Sequence, residues 1–460
     1  MHTRIGTLLL LALGLLASAA SAQQEEFVVI KAGHVITATG EEIERGEIVI
    51  VDGKIRLIGR SLEYPPGTTV IDARDETVMP GLIHPRTRHD LPGYRRSGVN
   101  GQYTVGHELD LDAFDFEPLL EHGFTAVAFH PAGDDIPGVA GVYRTAWPED
   151  MDPYAAESQV LRPVSWLRIL MSNLPGDKRM LRKALNDAQS DLDKIEKARA
   201  EFEKKQKEAA EKKKQQEAQK KEKPKPDQAA EKDGENSDEK QKEEAPTFKP
   251  PRTDPGRAPL RAWLQDELEV PPLVELGDAA AFLHLQEVLD ARDELQPPNL
   301  MLNPGRETAY HHILEELAAY EGLLLLDMEL NELPSTSTRF NLPGELEAAG
   351  ADIVLMPERM LSGFALRFRQ RSNAPDDISN DLRSFRGRLA DLIRSGLSRD
   401  TAIRAMTIHP ARLLGVDDSV GSIEVDKDAD LIFLDGDAVD PHATVTRVMI
   451  LGKIVWEDDA

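Results

Sequence analysis

The sequence contains no cysteine. That excludes a disulfide framework, a thiolate nucleophile, an iron–sulfur cluster and cysteine-ligated zinc, so any metal would need His, Asp or Glu. Basic charge is also scarce: 55 Lys plus Arg stand against 81 Asp plus Glu in 460 residues, a formal charge of −26. A general nucleic-acid binder needs a basic footprint, and none is present. Long apolar runs are missing as well. The stretch from Thr7 to Ala17 is the nearest to one, and it is shorter than the ~20 residues of a membrane span. It follows His2 and Arg4 and precedes Ala20-Ser21-Ala22, the pattern of a cleaved secretory signal over residues 1–22. The expectation is an exported protein, periplasmic or secreted, with no membrane anchor after cleavage.

What is abundant is charge. Residues 191–250 carry 17 acidic and 17 basic side chains and almost no large apolar one after Phe202. They cannot build a core, and this insert is electrically neutral, so the whole deficit of −26 belongs to the folded remainder. Up to Gln219 the composition favours a solvated helix with Glu/Lys pairs, and past Pro224 it favours disorder.

Both ends of the chain read as short strands. Near the amino end Phe27-Val28-Val29-Ile30, Glu47 to Val51, Lys54 to Ile58 and Val70-Ile71 alternate with turns, and Asp52-Gly53 is a two-residue hairpin signal. Ala429 to Leu434, Val445 to Ile450 and Ile454-Val455-Trp456 repeat the style at the carboxyl end. Between them apolar strands (Ala126 to Phe129, Pro272 to Leu276, Asn299 to Leu302, Leu323 to Leu326, Asp352 to Met356) alternate with helical patterns. Those helices are Ala279 to Asp290, Thr308 to Tyr320, Asn380 to Ser395 and Ser398 to Met406. The expected fold is α/β: a (β/α)8 TIM-type barrel with a small composite β-sandwich domain built from both chain ends. The β domain takes 23–79 and 415–460, the barrel 80–190 and 251–414, and the charged insert 191–250.

Three stretches carry a resemblance: Val78-Met79-Pro80-Gly81-Leu82-Ile83, Glu121-His122-Gly123-Phe124-Thr125-Ala126-Val127, and Thr407-Ile408-His409-Pro410-Ala411-Arg412-Leu413-Leu414-Gly415 with Asp428-Ala429-Asp430-Leu431. In these the chain resembles the metal-dependent amidohydrolase superfamily, nearest its exported imidazolonepropionase-like branch. In that family the Pro-Gly-Leu-Ile strand runs into Asp-x-His-x-His, whose two imidazoles hold a divalent metal. Here the corresponding residues are His84-Pro85-Arg86-Thr87-Arg88. Guanidinium has no lone pair to donate, and two fixed cations repel a dication. The strands that would end in further ligands end instead in Leu276-Gly277-Asp278 and Leu302-Asn303-Pro304, and Glu358 stands where the family's final catalytic carboxylate is expected.

The resemblance therefore implies a hydrolase scaffold without its usual metal site and with no cofactor expected. Glu358 is the one candidate catalytic residue; Arg86, Arg88, His84, His130 and Asn303 are candidate ligand-binding residues. Arg86, Arg88 and Glu358 are expected to form an internal ion pair or to bind a small carboxylate-bearing ligand. Partners would be that ligand, a second copy of the chain, or an intact amidohydrolase relative. The alternative is an active hydrolase of carbon–nitrogen bonds with zinc on a relocated site drawn from His84, His89, Asp90, His130 and Glu358. His107-Glu108 reads as loop, His409 as packing at a helix entry, and His284, His311 and His312 as packed or surface residues.

Overall fold

The computed structural model describes residues 26–458 except 90, 92–94, 149–158, 222–246, 293–294, 306 and 361–377, with backbone alone for 213–221. The expected signal segment, Asp90 and much of the insert lie outside the described residues.

Strands from both chain ends join in one eight-stranded sheet, ordered Lys453–Glu457, Val445–Ile450, Leu431–Leu434, Thr69–Pro80, Phe27–Ile36, Glu47–Val51 and Lys54–Gly59, with Glu42–Glu44 added to Phe27–Ile36. The Asp52-Gly53 hairpin forms, both residues at positive φ (49° and 77°). Val28, Ile30, Ile48, Ile50, Phe433 and Met449 meet in one buried apolar group, which the alternation of Val and Ile along these strands supplies. Each such side chain contributes roughly 1.5–3 kcal/mol on burial. Where two packed layers are expected, the structure has a single sheet that curls. The pairing of Phe27–Ile36 with Thr69–Pro80 shifts register between Ala32 and His34, which bends both strands instead of ending them. Gly33 sits at that bend, where a Cβ would lie 2.4 Å from the Arg74 carbonyl oxygen. The curl brings the Lys54–Gly59 edge against the segment that leads into Leu431–Leu434, Ile55 N donating to Lys427 O and Ala429 N to Gly53 O.

The middle of the chain supplies parallel strands. Leu82–Thr87 pairs with Phe124–Phe129 in one sheet. Leu167–Met171, Leu273–Leu276, Asn299–Leu302, Leu324–Asp327 and Ile353–Met356 are parallel neighbours, in chain order, in another. Two short segments link these sheets. Gly141–Arg144 pairs with Phe124–Phe129 while Gly138–Val139, just before it, pairs with Leu167–Met171. On the far side Ile83 N donates to Met406 O and Leu355 N to Ala405 O, each at 3.0 Å. Ile83, Ala126, Ala128, Met301, Leu325 and Val354 share an apolar group between the strands, and a larger group lies under the helices.

Most expected helices form within two residues of their expected ends: Ala279–Leu289, Ile378–Arg394 and Arg399–Arg404, the last capped by the Ser398 hydroxyl on Thr401 N. Thr308 to Tyr320 does not form one helix. Ala309 adopts φ 59°, and the segment divides into a 3-10 turn Tyr310–His312 and a short helix Leu314–Ala318. The charged insert emerges from an ordered helix. Pro175–Lys221 is continuous over 47 residues, about 70 Å at 1.5 Å per residue. Its first turns bury Leu181, Ala184, Leu185 and Ala188, and the buried Asp191 receives Arg257 Nε at 2.8 Å. Packing thus runs past the expected boundary at 190.

Candidate functional site

Charged side chains gather at the carboxyl ends of the parallel strands, where open valences of an α/β layer ordinarily meet ligands. Glu275 occupies the third position of Leu273–Leu276, an apolar and fully buried strand. Arg168 of the neighbouring strand grips it as a fork, Nε to Oε1 at 2.6 Å and Nη2 to Oε2 at 2.9 Å, and gives its Nη1 to Pro131 O at 2.9 Å. Arg86 reaches the same carboxylate from the first strand, Nη2 to Oε1 at 2.9 Å. The other end of its guanidinium rests on the Met301 thioether, Nη1 to Sδ 3.2 Å, and its Nε is buried with no acceptor.

Glu358 belongs to a different group. Its Oε1 accepts from Thr87 Oγ1 at 2.5 Å and lies 3.2 Å from His84 Nε2, at ion-pair distance without the alignment of a hydrogen bond. The expected ion pair of Arg86 and Arg88 with Glu358 is therefore corrected in its partners: Arg86 contacts Glu275, and Arg88 lies 3.6 Å from Glu108. The reason lies in the strand. Period-two alternation would put His84, Arg86 and Arg88 on one face. Leu82–Thr87 instead shifts register between Leu82 and Ile83 and again between His84 and Thr87, so His84 and Thr87 turn together towards Glu358. His84 also packs on Phe124, ring centroids 5.6 Å apart.

Arg88 Nη1 donates to His130 O at 2.6 Å, and Arg96 Nη1 lies 2.8 Å from the other Glu108 oxygen while its guanidinium covers the Tyr103 ring. His130 is buried, its Nδ1 donating to Pro131 O at 3.1 Å and its ring 5.9 Å from Trp166. Asn303 joins neither group. It lines a separate cleft with Asp327 and Asn331, whose cavity volume of about 10 Å³ holds one water at most. His89 stands edge-on to Phe114, His107 stacks on Tyr103, and His409 Nδ1 donates to Ile353 O at 2.7 Å. His284 is half-buried on its helix, and the rings of His311 and His312 lie 4.0 Å apart in a 3-10 turn.

Burial works against the Glu275 charge, but Arg168 and Arg86 outweigh it and hold the carboxyl below its usual range. Burial also disfavours ionised Glu358, and the His84 and Thr87 contacts reverse that. Arg86 is pushed down by burial and by Arg168, with Glu275 opposing, and Arg88 is lowered to about 10 chiefly by burial. His130 is driven well below the usual imidazole range by burial, then by Arg86, Arg168 and Arg88, so it is neutral at pH 7. Asp327 moves the other way, raised to about 7 by burial and Glu329 against the pull of Arg388.

These residues do not fit a divalent metal. The guanidiniums cannot donate, both Glu275 oxygens are held by Arg168, and the Oε1 of Glu358 is committed to Thr87 and His84. Among the described residues no group of three or more His, Asp or Glu is arranged to hold a metal ion. Sequence reasoning missed Arg168 and the role of Glu275. A charged residue inside an apolar strand was the available signal, because a buried charge requires a partner.

The amidohydrolase family model matches residues 309–455. Human N-acetylglucosamine-6-phosphate deacetylase is 32% identical over 141 residues, 30% of this chain and 29% of that protein. D-hydantoinase from Geobacillus stearothermophilus is 45% identical over 64 residues, 14% of this chain and 13% of that one. The matched stretches thus span less than a third of these curated relatives. In fold, an amidohydrolase from Thermotoga maritima superposes with a TM-score of 0.61 at 18% identity, over 94% of this chain and 100% of that chain. The family match thus lies in the carboxyl-terminal third, and along nearly the whole chain the fold is like that of an amidohydrolase.

Proposed function

We propose that the protein is an exported member of the amidohydrolase superfamily that binds a ligand without hydrolysing it, its two parallel sheets closing into a (β/α)8 barrel. Closure is supported by two bridging segments: Gly138–Arg144 pairs with a strand of each sheet, and Ala405-Met406 accepts from Ile83 N of one sheet and Leu355 N of the other. The observation that carries the loss of chemistry is the convergence of Arg86 and Arg168 on Glu275, at the place where the resemblance puts a metal. A metal ion brings the ionisation of its bound water down to near neutral pH, far below that of bulk water, so a site that repels the ion lacks an activated nucleophile. Glu358 is a carboxylate already engaged by a hydroxyl and an imidazole, which makes it a structural partner.

The test is turnover of the substrates named for the relatives, a hydantoin and N-acetylglucosamine 6-phosphate, by the mature protein with chelator and with added zinc. No hydrolysis above the buffer rate is expected in either condition. Hydrolysis that chelation abolishes and zinc restores would establish the alternative, a working carbon–nitrogen hydrolase.

A further inference from the structure

Two guanidiniums share one buried carboxylate, and they are not equally satisfied. Arg168 spends all three nitrogens, two on Glu275 and one on Pro131 O. Glu275 is already neutralised by that fork, so Arg86 is an additional cation. Of its nitrogens only Nη2 has a carboxylate, Nη1 faces a thioether, and the buried Nε has no acceptor. Sulfur is a weak acceptor, and leaving a charged donor unsatisfied away from water is costly. Glu358 acts on Arg86 only from a distance, since its own contacts are Thr87 and His84.

We propose that Arg86 anchors a binding site for a small organic carboxylate, entered from the ends of the parallel strands. This rests on the non-hydrolytic reading of the same site and names its ligand class. The Nε edge of a guanidinium presents a donor beside Nη2, and a planar carboxylate matches that spacing. Arg86 retains 12% exposure, more than Arg168 at 5% or Glu275 at 7%, so it is the member of the trio that solvent reaches. Met301, a member of the buried apolar group between the strands, lies against it. A second buried donor without an acceptor, Trp166 Nε1, belongs to that group. Neutral His130, stacked near Trp166, adds no competing positive charge. Binding needs no loss of the Arg168–Glu275 fork: the ligand takes the Arg86 donors that Glu275 leaves.

The probes are sodium acetate, sodium propionate and sodium phosphate, titrated at constant ionic strength against chloride. Binding is read by calorimetry and by the thermal unfolding midpoint, on the full chain whose metal content is measured in the same sample. Acetate and propionate are expected to bind and to raise the midpoint. Arg86→Met abolishes both effects, and Arg86→Lys, which keeps the charge but not the fork, weakens them about tenfold or more. Equal carboxylate effects in wild type and both variants, no effect in any of them, or an effect of phosphate alone would overturn the proposal. Absence of carboxylate binding in a metal-free protein removes this inference and leaves the non-hydrolytic reading standing; bound zinc removes that reading itself.

Discussion

Two ionic clusters among the described residues differ in stoichiometry. Where the curled sheet meets the parallel strands, Arg144 gives Nε to Asp430 at 3.1 Å and Nη2 to Asp428 at 2.6 Å, while Lys54 adds a second cation to Asp428 at 2.7 Å. The remaining Asp430 oxygen accepts from Leu451 N at 2.8 Å. Charges balance, two against two, and residues far apart in the chain are tied by them. At the strand ends cations are in excess, two guanidiniums to one Glu275, with a donor of Arg86 left over. A balanced, fully bonded cluster is what structural joints require. An unbalanced one with unspent donors is better explained by something that arrives from outside.

The largest effect that sharpens this contrast comes from Glu275→Gln. It leaves Arg86 and Arg168 facing each other in a buried place, at a cost near 5 kcal/mol, the upper end for an uncompensated buried charge. Urea unfolding measures it, and a loss under about 1 kcal/mol would show that the two arginines are solvated. Arg144→Met should cost less, about 3 kcal/mol, because Lys54 still partners Asp428. That variant keeps Arg86, so added acetate should still raise its unfolding midpoint as it does in the wild type.

Asp327 gives a pH-dependent difference of intermediate size. Its carboxyl titrates at about 7 in the folded state against 3.8 in an ordinary one. The folded protein therefore holds more protons in that window, and this contribution to stability is present below about pH 4 and lost as the pH rises to about 7. Between those limits wild type should lose stability relative to Asp327→Asn by up to about 1.4 kcal/mol per pH unit. Unfolding curves at a series of pH values check it, and parallel curves for the two proteins would contradict it.

The smallest effect is the most telling. Arg86→Met removes the surplus cation, keeps the Arg168–Glu275 fork and places a thioether side chain beside Met301. Its stability should stay within about 1 kcal/mol of wild type, or rise. A loss as large as that of Glu275→Gln would mean that both clusters are joints of the same kind.

Much of the fold was legible because it rests on local patterns. Asp52-Gly53 specifies its turn, Ser398 its helix start, and the Val/Ile strands their two-residue period. The curl of the terminal sheet was not, since it depends on a two-residue shift between Ala32↔Ala73 and His34↔Thr77, in strands far apart in the chain. The break at Ala309 likewise opposes a helical pattern that extends on both sides of it. At the site, sequence singled out Arg86, Arg88, His84, His130 and Glu358 as candidates, but it misassigned the partners of both arginines. Alternation along Leu82–Thr87 was assumed, and register shifts rotate His84 and Thr87 out of it. Arg168 lies in a strand that patterning did not pick out, Leu167–Met171, so the fork on Glu275 was invisible before the strands were paired.

The claim beneath all of this is that guanidiniums have replaced a metal. Metal stoichiometry tests it most directly: the purified protein is equilibrated with excess zinc, passed through a desalting column and analysed by elemental mass spectrometry. Less than about 0.1 equivalent of zinc should remain, because the affinity of a site depends on lone-pair donors and this one presents fixed cations. Retention of about one equivalent, lost on Glu358→Gln, would contradict the account.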